Sequence, residues 1–271
     1  MTPTGAADGG MGDLIDDLAA ERAYLDAAIR DVPVGRWETP SPAEGWLMRD
    51  CIAHLADFDE AAAEIAESGE YPRRPARKGE GVLAARQVDA RALSIPELLA
   101  WWRDSAARMA AALRRLDPKA RLPWAGLEMG ARSFTTARLM ECWSHGLDAL
   151  DAVGVTPVDS DRLRHVAYLG CSARDFAYRA RGMEPSAEPL RVELALPSGA
   201  AWSWGPEDAA NRVTGSASDF CRVVTQRISS LDTALAAEGT AAAEFLVIAQ
   251  AFAGPPGSGR PPKTLPPTAS R

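Results

Sequence analysis

Two side chains near the middle of the chain, Glu141 and His145, have the types and the spacing that suit a bound metal ion. A helix advances about 100° per residue, so side chains four positions apart project from the same face and can bind one ion. Carboxylates and imidazoles are both ligands of zinc and other divalent metals. Two ligands do not complete a site, and a third must come from another element. The chain has three histidines, so His54 and His165 are the remaining imidazoles.

His54 lies in a row of apolar side chains on the helix predicted to end before Gly69. The row is spaced alternately four and three residues apart, which is the spacing of one helix face. Its members are Leu47, Cys51, His54, Phe58, Ala61 and Ile65. If this helix lies beside the helix that carries Glu141 and His145, two imidazoles and one carboxylate meet. That combination is the ligand set of a catalytic zinc site with an open coordination position.

The Glu141 and His145 pair and the histidine at position 54 each also have an ordinary structural interpretation. The polar row on the later helix contains Arg138, Glu141, His145 and Asp148. A row of this kind can simply face water. A histidine on an apolar stripe can be a core residue that hydrogen-bonds to a carbonyl group. The spacing therefore permits a metal site without requiring one.

The overall composition is that of a soluble globular protein. Hydrophobic residues make up 46% and charged residues 25% of the 271 residues, and the net charge is −7. The basic residues are dispersed, so the sequence predicts no nucleic-acid partner and no membrane partner. No apolar stretch reaches the length of a membrane helix and no signal-peptide pattern is present, so we expect a cytoplasmic protein. The four cysteines include no Cys-x-x-Cys pair, which favours buried free thiols over a zinc ribbon.

Helical periodicity and turn residues predict two domains and a tail. Four long helices and a fifth are joined mostly by loops short enough for antiparallel neighbours. Residues 190–196 then alternate with period two before a Pro-Ser-Gly turn, which predicts a hairpin. The predicted fold is mainly α, with a helical bundle over residues 11–184 and a small α+β domain over residues 187–256. The proline-rich tail, residues 257–271, is predicted to be disordered.

Two segments resemble a known family. Residues 45–56, Gly-Trp-Leu-Met-Arg-Asp-Cys-Ile-Ala-His-Leu-Ala, resemble the start of the second helix in the mycothiol-dependent maleylpyruvate isomerase family. Residues 133–148 are similar to the E-x-W-x-H-G-x-D segment of its fourth helix. The resemblance covers nearly the whole chain, and it points to an actinobacterial branch whose members are mostly of unassigned activity. It implies an antiparallel four-helix bundle of the DinB-like metal-binding superfamily, followed by a small sterol-carrier-like domain.

The resemblance also implies the residues of a site. It implies that His54, Glu141 and His145 bind Zn²⁺ or another divalent metal. It further implies a substrate-binding arginine, for which the spacing offers Arg86 and, nearly as well, Arg91. The alternative for either arginine is an unpaired position on the bundle surface.

Three more residues are predicted around the metal ligands. Arg138 and Asp148 share the polar row with them and are predicted to support the ligands or to be structural. His165 matches no ligand position of the family, and it is predicted to orient groups around the ligands or to pack in the core. Cys142 points about 100° away from Glu141 on the helical wheel, so it is excluded as a ligand.

The activity implied by the resemblance is that of an isomerase or a thiol S-transferase. A metal with three protein ligands leaves room for a thiol cofactor, mycothiol, whose thiolate would add to a small electrophile. An arginine would bind a substrate carboxylate through a bidentate contact. We therefore expect a metal-dependent enzyme with a small-molecule substrate, acting as a monomer or a homodimer.

Two other classes of function fit the same residues. The metal could serve a hydrolase, an isomerase or a cyclase of a secondary pathway without any thiol. Alternatively, the protein could be a non-catalytic module that binds an apolar ligand against Trp202 and Trp204. These two side chains share one face of a strand, which favours ordinary packing over a ligand platform.

Overall fold

A computed structural model describes residues 9–72, 89–124, 127–257 and 259–263 of the chain. It divides into two compact units. The first unit spans Gly9–Val158, and the second contains the described residues from Asp159 onward.

The described residues of the first unit form four long helices. They are α1 (Met11–Ile29), α2 (Met48–Ser68), α3 (Ile95–Arg115) and α4 (Ala131–Ala152). α2 packs against both α3 and α4, and α1 packs against the same two helices. Their buried faces carry mostly leucine, isoleucine and alanine, with Trp102 among the largest fully buried side chains. The mainly helical fold predicted from the sequence is confirmed.

Local hydrogen bonds fix where α2 and α3 begin. Oδ2 of Asp50 accepts a hydrogen bond of 2.8 Å from the backbone N–H of Leu47, which satisfies a free donor at the start of α2. α2 ends at Gly69, whose positive φ of 75° suits a residue without a side chain. At α3, Oε2 of Glu97 accepts a 2.7 Å hydrogen bond from the backbone N–H of Ser94, as expected of a capping box.

A short hairpin precedes α4 and was not predicted from the sequence. Its strands are β1 (Arg121–Trp124) and β2 (Leu127–Gly130), which pair antiparallel. Both strands contact α4. The hairpin therefore brings the side chain of Trp124, which is 6% exposed, against the bundle.

The second unit combines four helices with a four-stranded sheet. In chain order it contains α5 (Leu163–Ser172), α6 (Arg174–Ala180), β3 (Leu190–Ala195), β4 (Ala201–Trp204), β5 (Asn211–Ser216), α7 (Ala217–Val224), β6 (Ala236–Glu238) and α8 (Thr240–Ile248). The strand order is β4-β3-β5-β6. β3 and β5 are parallel, and the other two pairs are antiparallel. The hairpin predicted around residues 197–199 is the β3–β4 pair.

The division between the units differs from the predicted domain ranges. The prediction assigned residues up to 184 to the bundle, whereas the chain passes into the second unit at Asp159. The physical reason is the packing of α5 against α7. A β-carbon on Gly170 would lie 2.8 Å from Cγ2 of Val224, so the glycine permits this close contact. Within the described residues, no helix combines the length and the apolar character that crossing a membrane requires.

Candidate metal centre

α2 and α4 bring His54, Glu141 and His145 together. Oε2 of Glu141 lies 3.4 Å from Nε2 of His54 and 3.3 Å from Nε2 of His145. One ligand atom from each of the three residues lies within 4.8 Å of the other two. The three side chains are 11%, 17% and 14% exposed, so the cluster is largely buried but still reachable from solvent. The side chains predicted to share a site therefore do converge.

The spacing of these atoms fits a divalent metal. Zinc binds imidazole nitrogen and carboxylate oxygen at about 2.1 Å, and two such ligands of a tetrahedral ion lie roughly 3.4 Å apart. The two distances from Oε2 of Glu141 agree with this separation. Three protein ligands would leave one position of a tetrahedron open. This donor set is thus the one expected for a catalytic rather than a structural zinc site.

The protonation states of the cluster also suit a metal. Burial and the neighbouring His145 lower the pKa of His54 to about 4, so this imidazole is neutral at pH 7. Burial alone would raise the pKa of Glu141, but hydrogen bonds with the two histidines and the charge of Arg138 outweigh it. The pKa of Glu141 consequently lies well below its usual value, and the carboxylate is ionised. Metal ligands must be deprotonated in this way.

Aromatic side chains pack against the two imidazoles. The ring of Trp46 stacks on His145, with centroids 5.4 Å apart and an interplanar angle of 12°. The same indole lies 5.1 Å from the ring of His54, which also contacts Phe58 at 4.3 Å. The backbone N–H of Ser41 donates a 2.7 Å hydrogen bond to the carbonyl of Trp46, which anchors the loop before α2. Trp46 was not predicted as a site residue, although it stands in the segment 45–56.

Two polar side chains of α4 lie beside the cluster. Oδ2 of Asp148 is 3.4 Å from Nδ1 of His145, on the side of the ring away from Glu141. Nη2 of Arg138 is 3.9 Å from Oε1 of Glu141. Arg138 and Asp148 are each only 2% exposed. The alternative interpretation, in which the polar row of α4 faces water, does not hold for these two residues.

Among the other predicted site residues that the structure describes, Arg91 is not part of this cluster. Arg91 forms an ion pair with Asp50, in which its Nε donates a 2.9 Å hydrogen bond to Oδ1. Its pKa is raised, chiefly by the hydrogen bond to Asp50. Arg86 lies outside the described residues. His165 is buried on α5 in the second unit.

The buried cysteines offer no ready nucleophile. Burial raises the pKa of the thiols of Cys142, Cys171 and Cys221, so these groups stay protonated near neutral pH. All four cysteines are buried and free. A thiolate needed for chemistry at the cluster would therefore have to come from another molecule.

Comparisons with known protein families and sequences connect the first unit to a described domain. Residues 18–150, which include the whole cluster, match the family described as the mycothiol maleylpyruvate isomerase N-terminal domain. Residues 186–238 match a family described as "Wyosine base formation". Two curated relatives are 46% identical over 255 residues, which is 92% of this chain and 98% of theirs. Both are uncharacterized proteins from strains of Mycobacterium tuberculosis.

Two solved structures have a fold similar to that of this chain. A crystal structure of the mycothiol-dependent maleylpyruvate isomerase superposes with a TM-score of 0.58, covering 85% of this chain and 93% of that one at 18% identity. A mutant of that enzyme superposes with a TM-score of 0.55, covering 81% of this chain and 90% of that one at 18% identity. At this level of identity the likeness shows a shared fold.

Proposed function

The chain belongs to the mycothiol-dependent maleylpyruvate isomerase-like family, and from this premise we propose that it is a metal-dependent enzyme with a thiol cofactor. The cofactor is mycothiol. The reaction is the isomerisation of a small electrophilic substrate that carries a carboxylate, or the transfer of the thiol to such a substrate. Family membership supports the reaction type, and the residues of the site support the role of the metal.

One observation carries the proposal: two imidazole nitrogens and a carboxylate oxygen converge at the spacing of zinc ligands. His54, Glu141 and His145 would hold Zn²⁺ or another divalent metal. A divalent cation at this position would supply a Lewis acid that stabilises an anionic thiol at the open coordination position. With every cysteine of the chain buried, this chemistry requires a thiol from outside the protein.

The residues around the cluster would support its binding of a metal and an anionic thiol. Asp148 lies beside Nδ1 of His145 and would keep Nε2 of that ring pointed at the metal. Trp46 and Phe58 pack against the imidazoles and limit the access of bulk water to them. A water-poor environment strengthens the electrostatic interactions that hold an anion beside a cation.

The substrate carboxylate requires a cation, and Arg86 and Arg91 remain the proposed residues. The side chain of Arg91 is 43% exposed, so part of its guanidinium is accessible although Asp50 already binds it. An arginine can bind a carboxylate through two parallel hydrogen bonds, which a lysine cannot do. Replacement of each arginine by lysine should therefore raise KM for the substrate without changing the amount of bound metal.

Metal analysis of purified variants tests the proposed ligands. The wild-type protein should bind one metal ion per chain, and His54→Ala and Glu141→Ala should lose it. His165→Ala is the matched control, because it removes the one remaining histidine from a buried position in the other unit. Full metal occupancy in both the His54→Ala and the Glu141→Ala proteins would overturn the assignment.

Assays with and without mycothiol test the proposed reaction. Candidate electrophiles should be consumed, or a thiol adduct formed, only when both mycothiol and metal are present. Removal of the metal with a chelator should abolish turnover, and reloading should restore it. Metal-dependent turnover that needs no thiol would instead indicate a hydrolase, an isomerase or a cyclase.

A further inference from the structure

Arg138 is buried beside the candidate metal centre with few of its hydrogen bonds formed. Its side chain is 2% exposed, and its guanidinium carbon lies 4.5 Å from the ring centroid of Trp124 and 5.6 Å from that of Phe58. Nε and Nη1 donate to no acceptor among the described residues. A buried charged group that lacks hydrogen-bond partners costs several kcal/mol in general, and such exceptions gather at functional sites.

Arg22, another buried arginine of the bundle, shows the contrast. Nε and Nη2 of Arg22 donate to the two oxygens of Asp59 at 3.1 and 2.6 Å, which is the bidentate geometry expected of a buried ion pair. Among the residues that the structure describes, Arg138 forms no such pair. The carboxylate oxygen beside it is Oε1 of Glu141, 3.9 Å from Nη2. Structural pairing therefore accounts for Arg22 but not for Arg138.

The two oxygens of Glu141 have different neighbours. Oε2 faces Nε2 of both histidines, whereas Oε1 faces the guanidinium of Arg138. We propose that Arg138 is a positioning residue that holds Oε1, so that Glu141 binds the metal through Oε2 alone. This inference rests on the proposed function, since it assumes that the cluster holds a metal.

The proposed role of Arg138 affects the coordination position that the three protein ligands leave open. A carboxylate can bind a metal through one oxygen or through both. If Oε1 also turned to the metal, it would be a fifth ligand beside the solvent molecule at the open position, and it would hinder the binding of an incoming thiol there. The aromatic rings of Trp124 and Phe58 hold the guanidinium in place, and its positive charge keeps Oε1 directed away from the histidines. Arg138 thereby keeps one coordination position free for an exogenous ligand.

Coordination number in Co²⁺-loaded protein tests this proposal without an activity assay. Four-coordinate Co²⁺ absorbs visible light more strongly than five-coordinate Co²⁺ does. The wild-type protein and Arg138→Lys, which keeps the charge, should give the strong spectrum. Arg138→Gln should still bind one ion but give the weaker spectrum. The affinity of its Co²⁺ form for mercaptoethanol, used as a probe thiol, should fall by about tenfold, the lower end of effects seen for outer-shell partners.

A double variant and an independent measurement complete the test. Arg22→Met with Asp59→Leu removes a buried arginine together with its partner, and its Co²⁺ spectrum should match the wild type. The infrared difference spectrum of the wild-type protein upon Zn²⁺ binding reports the splitting of the carboxylate stretches, which is larger for one-oxygen binding. That measurement shows whether Glu141 binds the metal through one oxygen or through both, even if Arg138→Gln does not fold.

The possible outcomes separate the two proposals. A wild-type protein that binds no metal would overturn the proposed function, and the role of Arg138 would fall with it. A wild-type protein that binds metal through both oxygens of Glu141 would overturn the role of Arg138 alone. So would an Arg138→Gln protein whose Co²⁺ spectrum and thiol affinity equal those of the wild type.

Discussion

Oδ2 of Asp148 lies 3.4 Å from Nδ1 of His145, one helical turn along α4. Carboxylates in this position orient a histidine ligand and raise its basicity, and their loss costs about 10–100-fold in metal affinity. We predict that Asp148→Asn weakens Zn²⁺ binding by a factor in this range, because an amide keeps the shape but not the charge. Competition with a chromophoric chelator would measure the change.

The neighbouring residue Asp151 provides the control for this prediction. It lies on the exposed side of the same helix, so Asp151→Asn removes a carboxylate of α4 without disturbing Asp148. Its Zn²⁺ affinity should stay close to that of the wild type. Equal affinities for Asp148→Asn and Asp151→Asn would show that the contact with His145 does not tune the metal.

The low pKa of His54 predicts how the metal-free protein responds to acid. The folded protein binds the proton only near pH 4, whereas the unfolded chain binds it near pH 6.5. The unfolded state therefore gains protons first, and stability falls as the pH drops from about 6.5 to 4. A shift of this size corresponds to about 3 kcal/mol of unfolding free energy. The lowered pKa of Glu141 acts in the same direction at still lower pH.

Urea unfolding of chelator-treated protein at pH 7 and pH 4.5 would measure this loss. His54→Gln removes the titrating imidazole, so its stability should change less between the two pH values. The two proteins share their other titrating groups, which makes the difference between them specific to His54. Identical losses in both proteins would contradict the assignment of this pH dependence to His54.

The stacking of Trp46 on His145 makes the indole a reporter of metal binding. Their ring centroids are 5.4 Å apart, so an ion held by His145 would lie within a few ångströms of Trp46 as well. We predict that Co²⁺ quenches the tryptophan fluorescence of the wild-type protein and quenches Trp46→Phe to a smaller extent. Fluorescence titration would measure both, and Glu141→Ala, which retains Trp46 but should bind no metal, is the control. Equal quenching in Trp46→Phe would place the ion elsewhere.

Residue spacing was sufficient to predict which candidate side chains share a face of each helix. The four-residue spacing of Glu141 and His145 and the place of His54 in an apolar stripe depend only on helix periodicity, and the structure keeps both. The packing of α2 against α4 belongs to the tertiary structure, which helix periodicity does not determine. The sequence indicated this packing only through the family resemblance. The prediction of convergence therefore depended on that resemblance.

The features that sequence reasoning missed depend on contacts distant in the chain. Arg138 was predicted to support the ligands or to be structural, but no sequence pattern indicated that the hairpin before α4 places Trp124 against it. Trp46 stands in a loop whose path is set by bonds such as that between Thr39 and Met48, so periodicity gives no information on its direction. The assignment of residues 159–184 to the second unit likewise follows from packing of α5 on α7.

The buried pair of Arg22 and Asp59 leads to a last prediction, about stability. The two side chains are 8% and 2% exposed, and burial raises the pKa of Asp59 in spite of the adjacent arginine. Arg22→Met alone would leave the carboxylate buried without its cation, which costs about 3–5 kcal/mol in comparable cases. Adding Asp59→Leu removes the uncompensated charge, so the double variant should regain most of this loss. Urea unfolding of the metal-free proteins would measure both effects.

The exposed ion pair between Arg103 and Asp26 provides the comparison. It joins α3 to α1, whereas Arg22 and Asp59 join α1 to α2. Nη2 of Arg103 lies 2.7 Å from Oδ1 of Asp26, but the arginine side chain is 48% exposed. Solvent screening limits such a pair to about 1 kcal/mol or less, so Arg103→Gln should have a small effect. Arg22 and Arg103 therefore differ mainly in how deeply their side chains are buried. If the double variant of Arg22 and Asp59 were as unstable as Arg22→Met alone, the cost would arise from lost packing rather than from an unpaired buried charge.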